Sequence, residues 1–86
     1  MKKITMFIIE SCPYCKKALR WMDELMLENA EYKKIPIEII DENKSPEIAG
    51  ARDYYYVPTY YVGGEKAHEG AASPETVRRV FDAAVK

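Results

Sequence analysis

The chain is poor in the residues that bind metals or cross-link a fold. Its 86 residues include two cysteines, one histidine and one tryptophan, with four glycines and five prolines. A closed structural zinc site needs four ligands, and two cysteines with His68 leave that set incomplete. Charge of neither sign dominates: 13 basic residues face 14 acidic ones, for a formal net charge of -1. The basic residues are also scattered, with Lys16, Lys17 and Arg20 in one segment, Lys33 and Lys34 in another, and Arg78 and Arg79 near the end. That balance points to neither nucleic acid nor an anionic membrane surface. Long apolar runs are missing too. Met1-Lys2-Lys3 before Ile4 to Ile9 has the outline of an export signal, but Thr5 interrupts the run and Glu10 ends it. A signal core needs about 7–15 apolar residues and a small-residue cleavage site, and a membrane span needs about 20. A cytoplasmic protein is therefore expected, in a compartment where static disulfides are uncommon and a close cysteine pair cycles or binds metal. With no repeats, low-complexity stretches or linkers, residues 1–86 read as a single domain with one core.

What is present is a globular balance, 48% hydrophobic and 31% charged. Ile4 to Ile9 is β-rich and nearly all apolar, as a strand covered on both faces would be. Ser11-Cys12-Pro13 breaks it and opens a helix. There Cys15, Ala18, Leu19, Met22, Leu25 and Met26 form an apolar stripe, opposite Lys16, Lys17, Asp23, Glu24 and Glu28, fading near Asn29. Ile35 to Ile40 reads as a second strand, with Pro36 marking an edge or a strand start. Ser45-Pro46-Glu47 and Ser73-Pro74-Glu75 are matching helix-start signals, each a hydroxyl cap, a proline at the first position and an acid in the first turn. The first of these helices is short, because Gly50 follows within a turn or so. Val57 to Val62 and Glu65 to Glu69 read as strands joined by a Gly63-Gly64 hairpin turn. The order β-α-β-α-β-β-α implies an α/β fold, a four-stranded mixed sheet with helices on its faces.

Both cysteines lie in Cys12-Pro13-Tyr14-Cys15, between a strand and a helix. Three helical residues advance about 4.5 Å and turn most of the way round, which brings two Cα atoms into the disulfide range of roughly 4.4–6.8 Å. Cys12 faces the unpaired N–H groups and positive end of the helix, which favour thiolate over thiol. In such motifs the thiol pKa falls from about 8.5 to between roughly 3.5 and 7.5. Lys16 and Lys17 are expected to lower it further and Glu10 to oppose them. Cys12 is the expected attacking thiolate, and Cys15, on the apolar stripe, the shielded resolving thiol. Redox cycling is favoured over metal binding and over an inert pair. A disulfide closing so short a loop would constrain little of the unfolded chain.

Cys12-Pro13-Tyr14-Cys15 after a strand, then Tyr56-Val57-Pro58, then Gly63-Gly64 and a final helix, resembles glutaredoxin over essentially the whole chain. The resemblance implies a thioredoxin-like fold and electron transfer between glutathione and disulfides, with Cys12 taking the glutathionyl group and the mixed disulfide resolved by Cys15 or glutathione. It also implies a cis bond before Pro58, where an ordinary X–Pro bond would be trans. The Val57 carbonyl and N–H would then lie beside Cys12 and pair with a thiol substrate like an added strand. Implied substrate-binding residues are Pro13, Tyr14, Val57, Pro58, Gly70 and Ala71; no metal and no bound cofactor are implied, and glutathione is the co-substrate. Two departures stand out. Ile9 occupies a position often basic in glutaredoxins, and Glu69-Gly70-Ala71-Ala72-Ser73 lacks the acids that meet glutathione's amino group. Each removes a charge-assisted contact of about 1.5–3 kcal/mol. Arg52, Lys16 and the start of the last helix are candidates to compensate. The alternatives to a glutathione-linked monomer acting on disulfide proteins are a redoxin reduced by a thioredoxin-reductase-type flavoprotein, and an iron–sulfur carrier with Cys12 as a ligand.

Among the remaining residues, packing accounts for most of the seven tyrosines, Trp21 and the four methionines. His68 is read as a surface residue of the fourth strand.

Overall fold

The first strand, β1 (Ile4–Ile8), is buried along its whole length because it has neighbours on both edges and layers on both faces. This computed structural model describes residues 1–86. β1 pairs in parallel with β2 (Ile37–Asp41) and antiparallel with β3 (Thr59–Val62), and β3 pairs antiparallel with β4 (Glu65–Glu69), giving the sheet order β2-β1-β3-β4. Helix α1 (Pro13–Glu28) makes the crossover from β1 to β2, the short α2 (Pro46–Gly50) leads from β2 toward β3, and α3 (Pro74–Val85) ends the chain. This is the four-stranded mixed α/β architecture expected from the order of elements, and it is the thioredoxin-like fold that the resemblance implies.

Alternation along the strands divides the core between the two faces. Ile4, Met6, Ile8, Tyr60 and Val62 meet Ala18, Met22 and Leu25 of α1 and Val77, Val80, Phe81 and Ala84 of α3. On the opposite face Phe7, Ile40 and Tyr61 pack with Ala49 of α2. Tyr60 and Tyr61 thus serve different layers, one hydroxyl donating to Met22 Sδ at 3.4 Å and the other to the Asp53 carbonyl at 3.2 Å. Tyr32 packs edge-on against Phe81 and donates to Asp82. Met6 and Met22 are buried as expected, whereas Met1 is exposed, and Trp21 packs on the core from its rim.

Element ends differ from the sequence reading for identifiable reasons. β1 stops at Ile8, where the chain turns toward the helix. β2 begins at Ile37, since Pro36 has no N–H to give and serves only as acceptor, to the Ile4 amide. Ile35 instead closes a 3₁₀ turn at Tyr32–Lys34, whose entry is held by Asn29 Oδ1 accepting from the Glu31 amide. β3 begins at Thr59 rather than Val57, immediately after a cis Val57–Pro58 bond. The Gly63-Gly64 turn has φ of 60° and 90°, the left-handed region that a tight hairpin requires. In β4, Lys66 lies opposite Tyr61 and His68 opposite Tyr60, so Ala67 is an extra residue, a β-bulge that the sequence did not announce.

The two matching helix-start signals are not equal in the folded chain. Ser73 Oγ accepts from the Thr76 amide at 3.1 Å, but the Ser45 side chain caps nothing. Ser73→Ala should therefore cost ~1 kcal/mol in a urea titration, a typical N-cap loss, and Ser45→Ala only a few tenths. Equal losses would show that both hydroxyls cap in solution.

Candidate functional site

The pairing of β1 with β3 assembles the site. Phe7 opposite Thr59 places the end of β1, and with it the Ile9–Cys12 turn, beside the residues that precede β3. The turn is closed by the Cys12 amide donating to the Ile9 carbonyl at 3.0 Å, and Cys12 then becomes the N-cap of α1, with Pro13 at its first position. The Cys12 carbonyl accepts the first helical bond from the Lys16 amide at 3.1 Å. Cys12 is partly exposed, while Cys15, one turn into the helix, is 1% exposed; both are free thiols.

That difference in setting makes the two thiols chemically unequal. Partial burial pushes the Cys12 thiol up, but the N–H groups of Cys15 and Tyr14 and the Cys15 side chain outweigh it and bring Cys12 below the ordinary cysteine value. Deep burial pushes Cys15 up to about 12; the Ile9 backbone partly offsets this, while Cys12 and Glu42 add to it. The expected help from Lys16 and Lys17 is absent: both are exposed to solvent, which screens them, and the shift arises from the helix terminus. Nor does Glu10 oppose it, because its carboxylate pairs with Lys44 at 3.0 Å.

The cis Val57–Pro58 peptide immediately precedes β3, beside the end of β1 from which the Ile9–Cys12 turn leaves. Pro58 is buried, and Val57 packs on the same core cluster that Cys12 and Ala72 flank. The amide and carbonyl of Val57 make no hydrogen bond within the chain, whereas their neighbours are engaged. Gly70, at φ 93°, donates to the Pro58 carbonyl at 2.9 Å and ties the end of β4 to this segment. Tyr14 stands at the rim, 56% exposed, and Pro13 is exposed beside it. The Ala71 carbonyl lies 3.0 Å from His68 Nε2, so that backbone acceptor is engaged by the half-buried histidine of β4. Arg52 stands apart: its guanidinium lies 4.9 Å from the Tyr61 ring centroid and 6.0 Å from that of Phe7, over the α2 side of the sheet. Lys16 does line a groove of about 470 Å³ with Ile9, Ser11 and Lys44.

Three residues here escaped the sequence reading. Tyr55 and Tyr56, expected to pack, are 87% and 70% exposed, directly before Val57. Glu69 accepts hydrogen bonds from both of their amides, at 2.7 and 3.1 Å. The only sequence signal was an unbroken aromatic triplet, Tyr54 to Tyr56, outside any strand, and only Tyr54 of the three packs against the core.

A partly exposed thiol on the N-cap residue of a helix, a buried partner one turn behind it and a cis-proline peptide at the start of the neighbouring strand define a redox dithiol site of the thioredoxin-like class. The chain belongs to the thioredoxin-domain family, whose model matches residues 2–82. Among solved structures it is similar to oxidised thioredoxin from Plasmodium falciparum, at 18% identity and a TM-score of 0.75 over 99% of this chain and 82% of that one. Thioredoxin from Trypanosoma brucei brucei gives 18% identity and a TM-score of 0.75 over 99% of this chain and 75% of that one. Thioredoxin from Fasciola hepatica gives 14% and 0.73 over 96% and 80%. At these identities the likeness is one of fold. No curated protein matched.

The inequality of the thiols has a direct readout. Iodoacetamide should modify Cys12 with a rate midpoint below the ~8.5 of a free cysteine, and leave Cys15 unmodified in the folded protein up to pH 9. Peptide mass mapping across a pH series checks both; comparable labelling of the two thiols would contradict the roles assigned to them.

Proposed function

We propose that this protein is a glutaredoxin-type thiol–disulfide oxidoreductase that reduces disulfide-containing proteins and glutathione mixed disulfides, with glutathione as co-substrate. The observation that carries the reading is the stabilised, accessible Cys12 thiolate backed by a buried, protonated Cys15. The Cys12 thiolate attacks one sulfur of the substrate disulfide. An S–S bond forms to Cys12 as the substrate S–S bond breaks, and the other substrate sulfur leaves as a thiolate that takes a proton from solvent. Cys15 then gives up its proton and attacks Cys12 Sγ, releasing the second substrate thiolate and leaving a Cys12–Cys15 disulfide. The substrate gains two electrons and the protein loses two. The order of events follows from the electrostatics: once Cys12 is in a mixed disulfide its negative charge is gone. Part of what holds Cys15 up then disappears. Two glutathione thiols return the electrons, leaving as glutathione disulfide. On this reading the protein acts as a cytoplasmic monomer without a resident cofactor.

The unpaired Val57 amide and carbonyl fit the backbone of an extended substrate beside Cys12, with Pro13, Tyr14 and the Gly70–Ala71 turn around it. A second reading has a specific observation behind it. Ile9 and Ala72 offer no charge to glutathione, Arg52 lies over Tyr61 and Phe7, and Lys44 is paired with Glu10, which leaves Lys16 as the unpaired cation of the groove beside Ile9. This favours electrons arriving from a thioredoxin-reductase-type flavoprotein.

Activity on a glutathionylated peptide, followed as glutathione is varied, separates the two. A saturating response supports glutathione; turnover only with NADPH and such a reductase supports the flavoprotein. In either assay Cys12→Ser should lower the rate at least about a hundredfold, since it removes the nucleophile. Cys15→Ser should accumulate a one-to-one mixed disulfide with a protein substrate, visible by intact mass. A Cys12→Ser variant that keeps its activity would end the proposal.

A further inference from the structure

Glu69 sits where simple strand alternation would not put it. In a regular strand, residues three apart point to opposite faces, so Lys66 and Glu69 could not meet. The bulge at Ala67 resets the alternation. Lys66, opposite Tyr61, and Glu69, opposite Thr59, then share the face toward which the Asp53–Tyr56 segment folds. There Glu69 Oε1 pairs with Lys66 Nζ at 2.7 Å while Oε2 accepts the consecutive amides of Tyr55 and Tyr56. One carboxylate therefore satisfies two backbone donors of a segment that belongs to no strand or helix. The same segment is pinned further on by the Thr59 hydroxyl donating to the Tyr56 carbonyl and by the Gly70 amide donating to the Pro58 carbonyl. Val57 lies between these ties with both of its own polar groups free. Such bonds to a charged acceptor are among the stronger ones in proteins, and Glu69 is held well below the usual carboxylate range, at about 2, chiefly by Lys66 and the Tyr55 amide.

We propose that Glu69 is a positioning residue that holds the exposed Tyr55 and Tyr56 side chains and the unpaired Val57 backbone as a preformed dock for an extended polypeptide bearing the disulfide. The inference rests on the dithiol-exchange reading and narrows its substrate class. Small disulfides need only the Cys12 thiolate. An extended chain also needs the Val57 edge in place, and two exposed tyrosines beside that edge offer it rigid, amphipathic contact area. Glu69 touches neither cysteine through any hydrogen bond, so its removal should act on docking and not on thiol chemistry.

The test compares wild type, Glu69→Ala and Glu69→Gln on three readouts: reduction of a disulfide-linked extended peptide, reduction of bis(2-hydroxyethyl) disulfide, and iodoacetamide labelling of Cys12. Glu69→Ala should raise KM for the peptide about tenfold, the scale of losing a charged hydrogen bond, with kcat, the small-disulfide rate and Cys12 labelling within about twofold. Glu69→Gln keeps an acceptor oxygen and should fall between. Amide hydrogen exchange at Tyr55 and Tyr56 should speed up by at least about tenfold in Glu69→Ala, the loss of local protection expected when both amides lose their acceptor. An unchanged peptide KM would overturn the docking role, and so would an equal loss on the small disulfide. If Glu69→Ala does not fold, Glu69→Gln decides on the same criteria. Wild type inactive on both disulfides would instead remove the oxidoreductase reading itself.

Discussion

Burial of β1 on both faces and both edges is the constraint on which the rest of the molecule depends. Ile4, Met6 and Ile8 need α1 and α3 to cover one side, and Phe7 needs α2 with Tyr61 and Tyr54 to cover the other. Its backbone groups need β2 on one edge and β3 on the other. Fully burying such side chains is worth about 1.5–3 kcal/mol each, so any slip in register would forfeit several at once. The register that satisfies them all is also the one that brings the Ile9–Cys12 turn next to Val57 and Pro58. The position of the site is thus set by packing at the sheet end, and local bonds such as Glu69 to the Tyr55 and Tyr56 amides and Gly70 to the Pro58 carbonyl fasten it there.

Within that site one helix terminus creates the chemical contrast. Cys12 sits outside the first turn, where backbone N–H groups lack internal partners, and Cys15 sits inside it, where burial dominates. The helix terminus lowers one thiol and burial in the core raises the other, so on the proposed mechanism attack and resolution need no dedicated acid or base. Surface lysines add nothing because water screens them, and the one nearby acid, Glu10, is engaged with Lys44.

How far the sequence could be read depended on the range of the interaction involved. The helices were legible from apolar spacing and from proline at their starts, and the hairpin from Gly63-Gly64, because these signals are local. The cysteine pair was legible for the same reason. Ser45 and Ser73 looked identical and behaved differently, since an N-cap depends on how the preceding chain enters the helix. Tyrosines misled in part: Tyr32, Tyr60 and Tyr61 pack, while Tyr55 and Tyr56 project from a segment fastened by a residue 14 and 13 positions away.

The sequence by itself determined the order of elements, the position of the dithiol at a strand-to-helix turn and the placing of Cys12 at the helix start with Cys15 on its apolar stripe, all of which follow from residues within a turn or two of one another. Tertiary structure alone decided which carboxylate faces which backbone. The bulge at Ala67 moves Glu69 to the face of Lys66 and the Tyr55–Tyr56 amides. Nothing in the composition of Glu65 to Glu69 announces that extra residue. It appears only in the pairing of β4 with β3, between the partners of Tyr60 and Tyr61.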